Sequence, residues 1–324
     1  MLSRIAAASI LAFTAAACFA QDWPTQTIRF VVPFAAGGPA DTAARLTADE
    51  LSKQLPQRVV IENRTGAGNV VGTEAVARAP KDGYTFLFTT SSHAHARALN
   101  AKLPFDPVAD FQPVSVISVQ PHVLIVNNDF PGRNLRDVIA TVRASPDKFN
   151  FGTAGTGSAT HFYFELFMST AGGLKMNHIP YRGSPPALLD LMSGQISLMT
   201  DPSSSCLPYI KDGRVRAVAI SSKQRSPALP DVPTFAESGA PGFAGYEVYG
   251  WYMLLAPAGI PEPILKQTSA AVRKALATPA LVQRFTQLNM DATPDSTPER
   301  AAQYLRDETA KWNAIALKAG IKPN

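Results

Sequence analysis

Apolar and polar positions along this chain keep switching between a strand period and a helix period, and the first switch sets the pattern for the rest. Ile28-Arg29-Phe30-Val31-Val32-Pro33-Phe34 is a short β-branched and aromatic run, which predicts a strand. Ala35-Ala36-Gly37-Gly38-Pro39 breaks it, and Ala40, Ala44, Ala48, Leu51 and Leu55 then recur at helical spacing, giving one apolar helix face. The order is strand, glycine turn, helix. Glycines let the backbone pass close to another group, and the unpaired N–H groups of the first helical turn attract an anion. A plain βα connection has the same pattern, so this stretch alone leaves both readings open.

The pattern recurs far downstream. Phe149-Asn150-Phe151-Gly152 runs into Thr153-Ala154-Gly155-Thr156-Gly157-Ser158-Ala159-Thr160-His161, and a helical pattern follows through Phe162, Leu166 and Phe167. Two anion-suited turns so distant in sequence predict two lobes that close on one small acid.

Further strands are predicted at 58–62, 84–89, 178–181, 196–199 and 215–220, and further helices at 69–79, 135–143, 186–193, 262–277 and 298–319. The last helix is expected on the surface of the first lobe. Segments 114–119 and 122–126 read as a strand pair interrupted by Pro121, and as the first crossover between lobes; 247–256 reads as the return. Thr90-Ser91-Ser92-His93 and Thr200-Asp201-Pro202-Ser203-Ser204-Ser205 read as polar loops. Strands alternating with helices predict an α/β class with mostly parallel sheets, whose ligands lie beyond the carboxyl ends of strands. All four polar turns (33–41, 90–93, 152–161 and 200–205) follow such an end. The 27 prolines fall between periodic segments, as loop punctuation does.

The leading twenty residues stand apart. Arg4 is their only charge, an apolar run covers 5–17, and Cys18-Phe19-Ala20 ends on a small residue. This is the plan of a secretory signal cleaved after Ala20. Ala15-Ala16-Ala17-Cys18 leaves a lipoprotein signal, tethered through Cys18, as an alternative. Only Cys206 follows, so the mature chain forms no internal disulfide. The formal charge of +5 falls to +4 without Arg4, and the basic residues are scattered, so no nucleic-acid footprint is visible. A hydrophobic content of 46% supplies a core, and a charged content of 17% argues against disorder.

Catalytic motifs are missing from the sequence. Gly66-Ala67-Gly68-Asn69-Val70-Val71-Gly72 fails the dinucleotide spacing, because Val71 stands where the third glycine belongs. No His-Glu-x-x-His, no phosphate loop ending Gly-Lys-Ser/Thr and no Gly-x-Ser-x-Gly occurs. His161 and Glu165 could share a metal or a helix-surface hydrogen bond; no metal and no cofactor is predicted. Asp41 and Asp201 could be an acid/base pair across a cleft or could orient backbone and ligand donors. Cys206 could be a nucleophile or a structural thiol. An exported hydrolase using Asp201 or Cys206 and a carboxylate sensor docking on a signalling partner therefore stay open beside a binding receptor. The candidate ligand-binding residues are Phe34, Ala35, Gly37, Gly38 and Asp41; Ser91, Ser92 and His93; Thr153, Ala154, Gly155, Thr156, Ser158 and His161; and Asp201 and Ser203.

Taken together, these stretches resemble a known family. Trp23-Pro24 with 28–41 looks like the opening of the mature solute receptors of the tripartite tricarboxylate transporters, the Bug family. Asn63-Arg64-Thr65-Gly66-Ala67-Gly68 through Gly83-Tyr84-Thr85, Leu103-Pro104-Phe105-Asp106-Pro107 with Asp110-Phe111, Gly152 to His161, Pro180-Tyr181-Arg182-Gly183 and 225–234 are similar to its further signatures. The resemblance covers essentially the whole mature chain. It implies a periplasmic-binding-protein-like fold of type II, a Venus flytrap of two α/β lobes with a two-segment hinge: a signal peptide at 1–20, lobe 1 at 21–122 and 246–324, and lobe 2 at 123–245. It also implies a periplasmic, monomeric receptor that grips a small carboxylate with the loops 34–41 and 153–161, partly through ordered water, and passes it to a two-subunit membrane permease. Asn69 in place of a glycine, Thr200-Asp201-Pro202 in place of Phe-Asp-Asn, and His93-Ala94-His95-Ala96-Arg97 without the usual Asn-Pro depart from the family pattern.

Overall fold

The computed structural model describes residues 23–100 and 102–319. The expected signal segment, with Cys18 and Ala20, lies outside them. No helix among the described residues is long and apolar enough to cross a membrane.

Strand β1 (Ile28–Val32) leads into α1 (Pro39–Leu51). Proline at the helix start costs no hydrogen bond, since the first N–H groups have no partner inside the helix. Strand β2 (Val59–Asn63), a 3-10 turn (Ala67–Asn69), α2 (Val70–Ala77), β3 (Thr85–Thr90) and α3 (Ser92–Leu99) follow. β1 pairs in parallel with β2 and β3. The chain then enters β4 (Phe111–Val126), α4 (Leu135–Ala144), β5 (Asn150–Thr153), α5 (Ala159–Thr170), β6 (Asn177–Pro180), α6 (Ser184–Met192), β7 (Leu198–Pro202), α7 (Ser203–Lys211) and β8 (Arg216–Ile220). β5 pairs in parallel with β6 and β7. β9 (Tyr249–Pro257), α8 (Glu262–Leu276), α9 (Pro279–Gln287), β10 (Asp291–Ala292) and α10 (Pro298–Ala319) complete it.

The strands run β2-β1-β3-β9-β4-β7-β5-β6, with β8 and β10 also paired to β4. Helices cover both faces, so the strands carry near-continuous apolar runs whose alternate residues enter different cores. Phe30 and Tyr252 join Phe86, Phe88 and the alanine stripe of α1 on one face. Their neighbours Val31 and Trp251 join Leu87, Phe162 and Trp312 on the other. Burying one such aromatic contributes about 1.5–3 kcal/mol.

Several expectations need correction. Segments 114–119 and 122–126 are one strand: through Pro121 it pairs with β9, and from His122 with β7 and β8. Pro121 sits at the seam of the two ladders, where a missing N–H interrupts neither. The sheet is mixed rather than mostly parallel, because β4 and β9 run antiparallel to their neighbours. The segment 90–93 is not a loop, since Ser92 already begins α3, and Thr200, Asp201 and Pro202 belong to β7. Helix α9 was not foreseen; its buried pair Leu281 and Phe285 spans one turn, a short signal. α10 reaches beyond the first half of the sheet: Trp312 packs its ring against Phe162 and Tyr163 of α5, as well as His95 of α3.

Candidate functional site

Four helices begin at one crevice: α1 after Gly38, α5 after Ser158, α6 after Gly183 and α7 after Pro202. All four residues line an inner cavity. An outer cavity shares Phe34, Ala35, Ala154, Ser158 and Gly183 with it, so the two form one crevice. Gly38 lies on its inner part and Gly155 on its outer part. The two glycine turns therefore share a site, although they are far apart in sequence.

Of the candidate residues, Phe34, Ala35, Gly38, Ser91, Ala154, Gly155 and Ser158 line the crevice. Several others shape it from behind. The Asp41 carboxylate accepts from the Gly37 N–H at 2.9 Å, from Asn63 Nδ2 at 2.9 Å and from Arg45 Nε at 2.9 Å. Asn63 also donates to the Phe34 carbonyl at 3.0 Å. Burial pushes the Asp41 carboxyl up, but Arg45, Gly37 and Asn63 outweigh it and hold the group below the usual carboxylate range. Asp41 is thus the anchor of the first turn.

The second turn is fixed the same way. Ser158 Oγ caps α5 by accepting from the His161 N–H at 3.3 Å. Thr160 Oγ1 accepts from the Ala154 N–H at 2.8 Å, Thr153 Oγ1 from the Gly155 N–H at 3.2 Å, and His161 Nδ1 from the Gly157 N–H at 3.3 Å. Accepting on Nδ1 puts the proton of neutral His161 on Nε2, which lies 3.7 Å from Glu165. The ring stacks on His178 at 4.3 Å; burial, with His178 beside it, pushes His161 down to about 4. Among the described residues no cluster of His, Cys, Asp and Glu could hold a metal ion. Thr156 faces the rim, where its carbonyl oxygen touches Gly68.

Other candidates lie elsewhere. His93 is buried with its Nε2 at 2.7 Å from the Pro107 carbonyl and its ring at 4.8 Å from Phe111. The helical start at Ser92 turns it away from Ser91, and burial pushes its pKa down to about 4. Ser92 is spent on Asn69 Nδ2 at 2.7 Å and Thr90 Oγ1 at 2.8 Å, so the unusual Asn69 ties the 3-10 turn to the start of α3. Ser203 donates to the Asn289 carbonyl at 3.2 Å, and Gly37 opens on a different hollow. Asp201 is fully buried in β7 and accepts from Ser184 Oγ at 2.5 Å and from Ser205 Oγ, with no cation beside it. Burial pushes its carboxyl up to about 7. Only its partner Ser184 reaches the crevice.

Gln120 and His122 of β4, and Trp251 and Tyr252 of β9, also line the inner cavity and were missed. The signal was there: two polar residues at alternate positions of an apolar strand share one face. Gln120 Nε2 donates to the Tyr252 hydroxyl at 2.7 Å. His122 lies edge-on to Tyr163 at 4.6 Å, and burial pushes its pKa down to about 3. A Cβ at position 250 would come within 2.7 Å of His122 Nε2, so Gly250 leaves the imidazole its room. Among the described residues no Lys, Arg, Asp or Glu lines the inner cavity, and Arg182 lines the outer one. An anion inside would be met by helix starts, N–H groups and hydroxyls.

The family model for the tripartite tricarboxylate transporter family receptor (TctC) matches residues 43–321. Protein BugT of Bordetella pertussis is 36% identical over 311 residues, 95% of this chain and 94% of that protein. The structure of the periplasmic binding protein BugD superposes with a TM-score of 0.88 at 33% identity, covering 93% of this chain and 100% of that one. MatC from Rhodopseudomonas palustris, solved with bound malate, gives a TM-score of 0.86 at 35% identity, covering 91% and 100%.

Proposed function

Because the chain belongs to the receptor family of the tripartite tricarboxylate transporters, we propose that it is a periplasmic receptor that captures a small carboxylate between two lobes and delivers it to a two-subunit membrane permease. The lobes of this reading are 21–122 with 246–324, and 123–245. The change of ladder at Pro121 and the return strand beginning at Tyr249 support those borders. A signal cleaved after Ala20 and a monomeric mature chain belong to the same reading.

The observation that carries it is the convergence of helix starts on a crevice without charged side chains in its inner part. A partly buried anion at a helix N-terminus gains up to ~2 kcal/mol. Each hydrogen bond to a charged group adds ~1.5–3 kcal/mol. The starts of α1 and α5 with a few N–H and O–H donors therefore reach the ~8 kcal/mol of a micromolar complex, after ordering costs. The malate held by MatC supports a carboxylate guest. No catalytic role is assigned: Asp201 is fully buried and accepts from two serines, and Cys206 is buried with its thiol pushed up by that burial.

Calorimetric titration of the mature protein with di- and tricarboxylates, amino acids and aromatic acids tests this. At least one acid is expected to bind at micromolar level and to be recovered unchanged. Chemical conversion of the acid, or binding of none, overturns the reading.

A further inference from the structure

Two buried polar atoms of residues at the inner cavity have no partner among the described residues: Gln120 Oε1 and His122 Nδ1. Both residues line the cavity and are at most 3% exposed. The other arm of the Gln120 amide is occupied by Tyr252, and Gly250 leaves room beside the Nε2–Cδ2 edge of the His122 ring. Leaving such a group unmet costs roughly ten- to a hundredfold in an equilibrium, so a guest that satisfies both is strongly preferred over one that covers them with carbon.

The chemistry of that guest follows from what each group can do. Neutral imidazole carries one N–H and one lone pair, and an amide oxygen only accepts. Burial keeps His122 neutral. A hydroxyl both donates and accepts, so it serves both partners. An ammonium only donates, and no acidic side chain lines the inner cavity to offset its charge. A second carboxylate only accepts, and no lysine or arginine lines the inner cavity. The starts of α1 and α5 would hold the ligand carboxylate. Between them the walls are carbon-rich, with Phe34, Trp251 and Pro202.

Resting on the carboxylate reading above, we propose that the ligand is a monocarboxylate with an uncharged, largely apolar body and a hydroxyl, and that this hydroxyl is read by Gln120 and His122. Hydroxyaromatic acids are the fitting class. Gln120 and His122 are then specificity-determining residues, distinct from the turns that hold the carboxylate.

The test titrates the wild-type protein with 3- and 4-hydroxybenzoate, benzoate, malate and glutamate by calorimetry. One hydroxybenzoate isomer is expected to bind at least tenfold tighter than benzoate, malate or glutamate. Gln120→Leu should erase the preference over benzoate. Tighter binding of malate or glutamate, or equal binding of benzoate and both hydroxybenzoates, overturns the inference and leaves the carboxylate receptor standing. Failure of these and of every acid in the wider panel overturns both.

Discussion

Gly68 and Thr156 meet backbone to backbone across the rim of the crevice: a Cβ on Gly68 would collide with the Thr156 carbonyl oxygen. Gly68 also holds φ at +63°, in the left-handed region where a side chain is strained. The contact joins the 3-10 turn after β2 to the loop after β5. Gly68→Ala is expected to hold the rim apart and to weaken ligand affinity at least tenfold, with a larger radius of gyration by X-ray scattering at saturating ligand. Unchanged affinity and unchanged scattering would remove this contact from the binding mechanism.

Asp41 holds the first turn without facing the ligand cavity, because its oxygens are occupied by Gly37, Asn63 and Arg45. Asp41→Ala therefore frees the Phe34–Gly38 backbone. Carboxylate affinity should drop about tenfold or more, the ~1.5–3 kcal/mol of a hydrogen bond to a charged group. The far-ultraviolet circular dichroism should be retained. Asp41→Asn, which keeps an acceptor for Gly37, is expected to recover part of the affinity; equal affinities in all three proteins would refute the anchoring role.

Buried histidines set the acid limit of stability. Burial pushes His93, His161 and His178 down to about 4 and His122 to about 3, and it lowers His95 as well. The unfolded chain takes up these protons near pH 6.5, whereas the folded chain stays neutral. Between about pH 6.5 and pH 4 the unfolded state thus binds more protons, and stability falls as pH falls. Each unmatched proton costs about 1.4 kcal/mol per pH unit. Five of them rival a total stability of about 5–15 kcal/mol. Thermal melts are expected to drop steeply below pH 6, and a melting temperature flat down to pH 4 would contradict the burial of these rings.

Asp201 has the opposite sign. Its folded pKa is raised to about 7 from 3.8 by burial, so the folded state holds a proton that the unfolded state has released. Its contribution is favourable to folding at low pH and is lost as pH rises through 7. Asp201→Asn, which mimics the neutral acid, should raise the melting temperature more at pH 8 than at pH 5. A difference independent of pH would mean that Asp201 is not the titrating group.

How far the sequence could be read depended on where each residue's partner lies. The turns at Gly37-Gly38 and 153–158 were legible because strand, glycine and helix follow one another within a few residues. His93 was not, since its polarity is answered by the Pro107 carbonyl inside an aromatic cluster. Asp201 resembled a loop residue, yet Ser184 and Ser205 satisfy it inside a strand. Gln120 and His122 were read as parts of a crossover, and only the pairing of Gln120 with β9 and of His122 with β7 turns them toward the cavity. The reach of α10 to α5 was hidden for the same reason, because Trp312 meets residues far away in sequence.

Strand β4 belongs to two ladders at once, with residues up to Pro121 in one and those from His122 in the other. A nick anywhere along it would leave both with a bare, unpaired border. The two halves share this strand, so heat is expected to dismantle the protein in one cooperative step, and fragments split at that point are expected not to recover their shape alone.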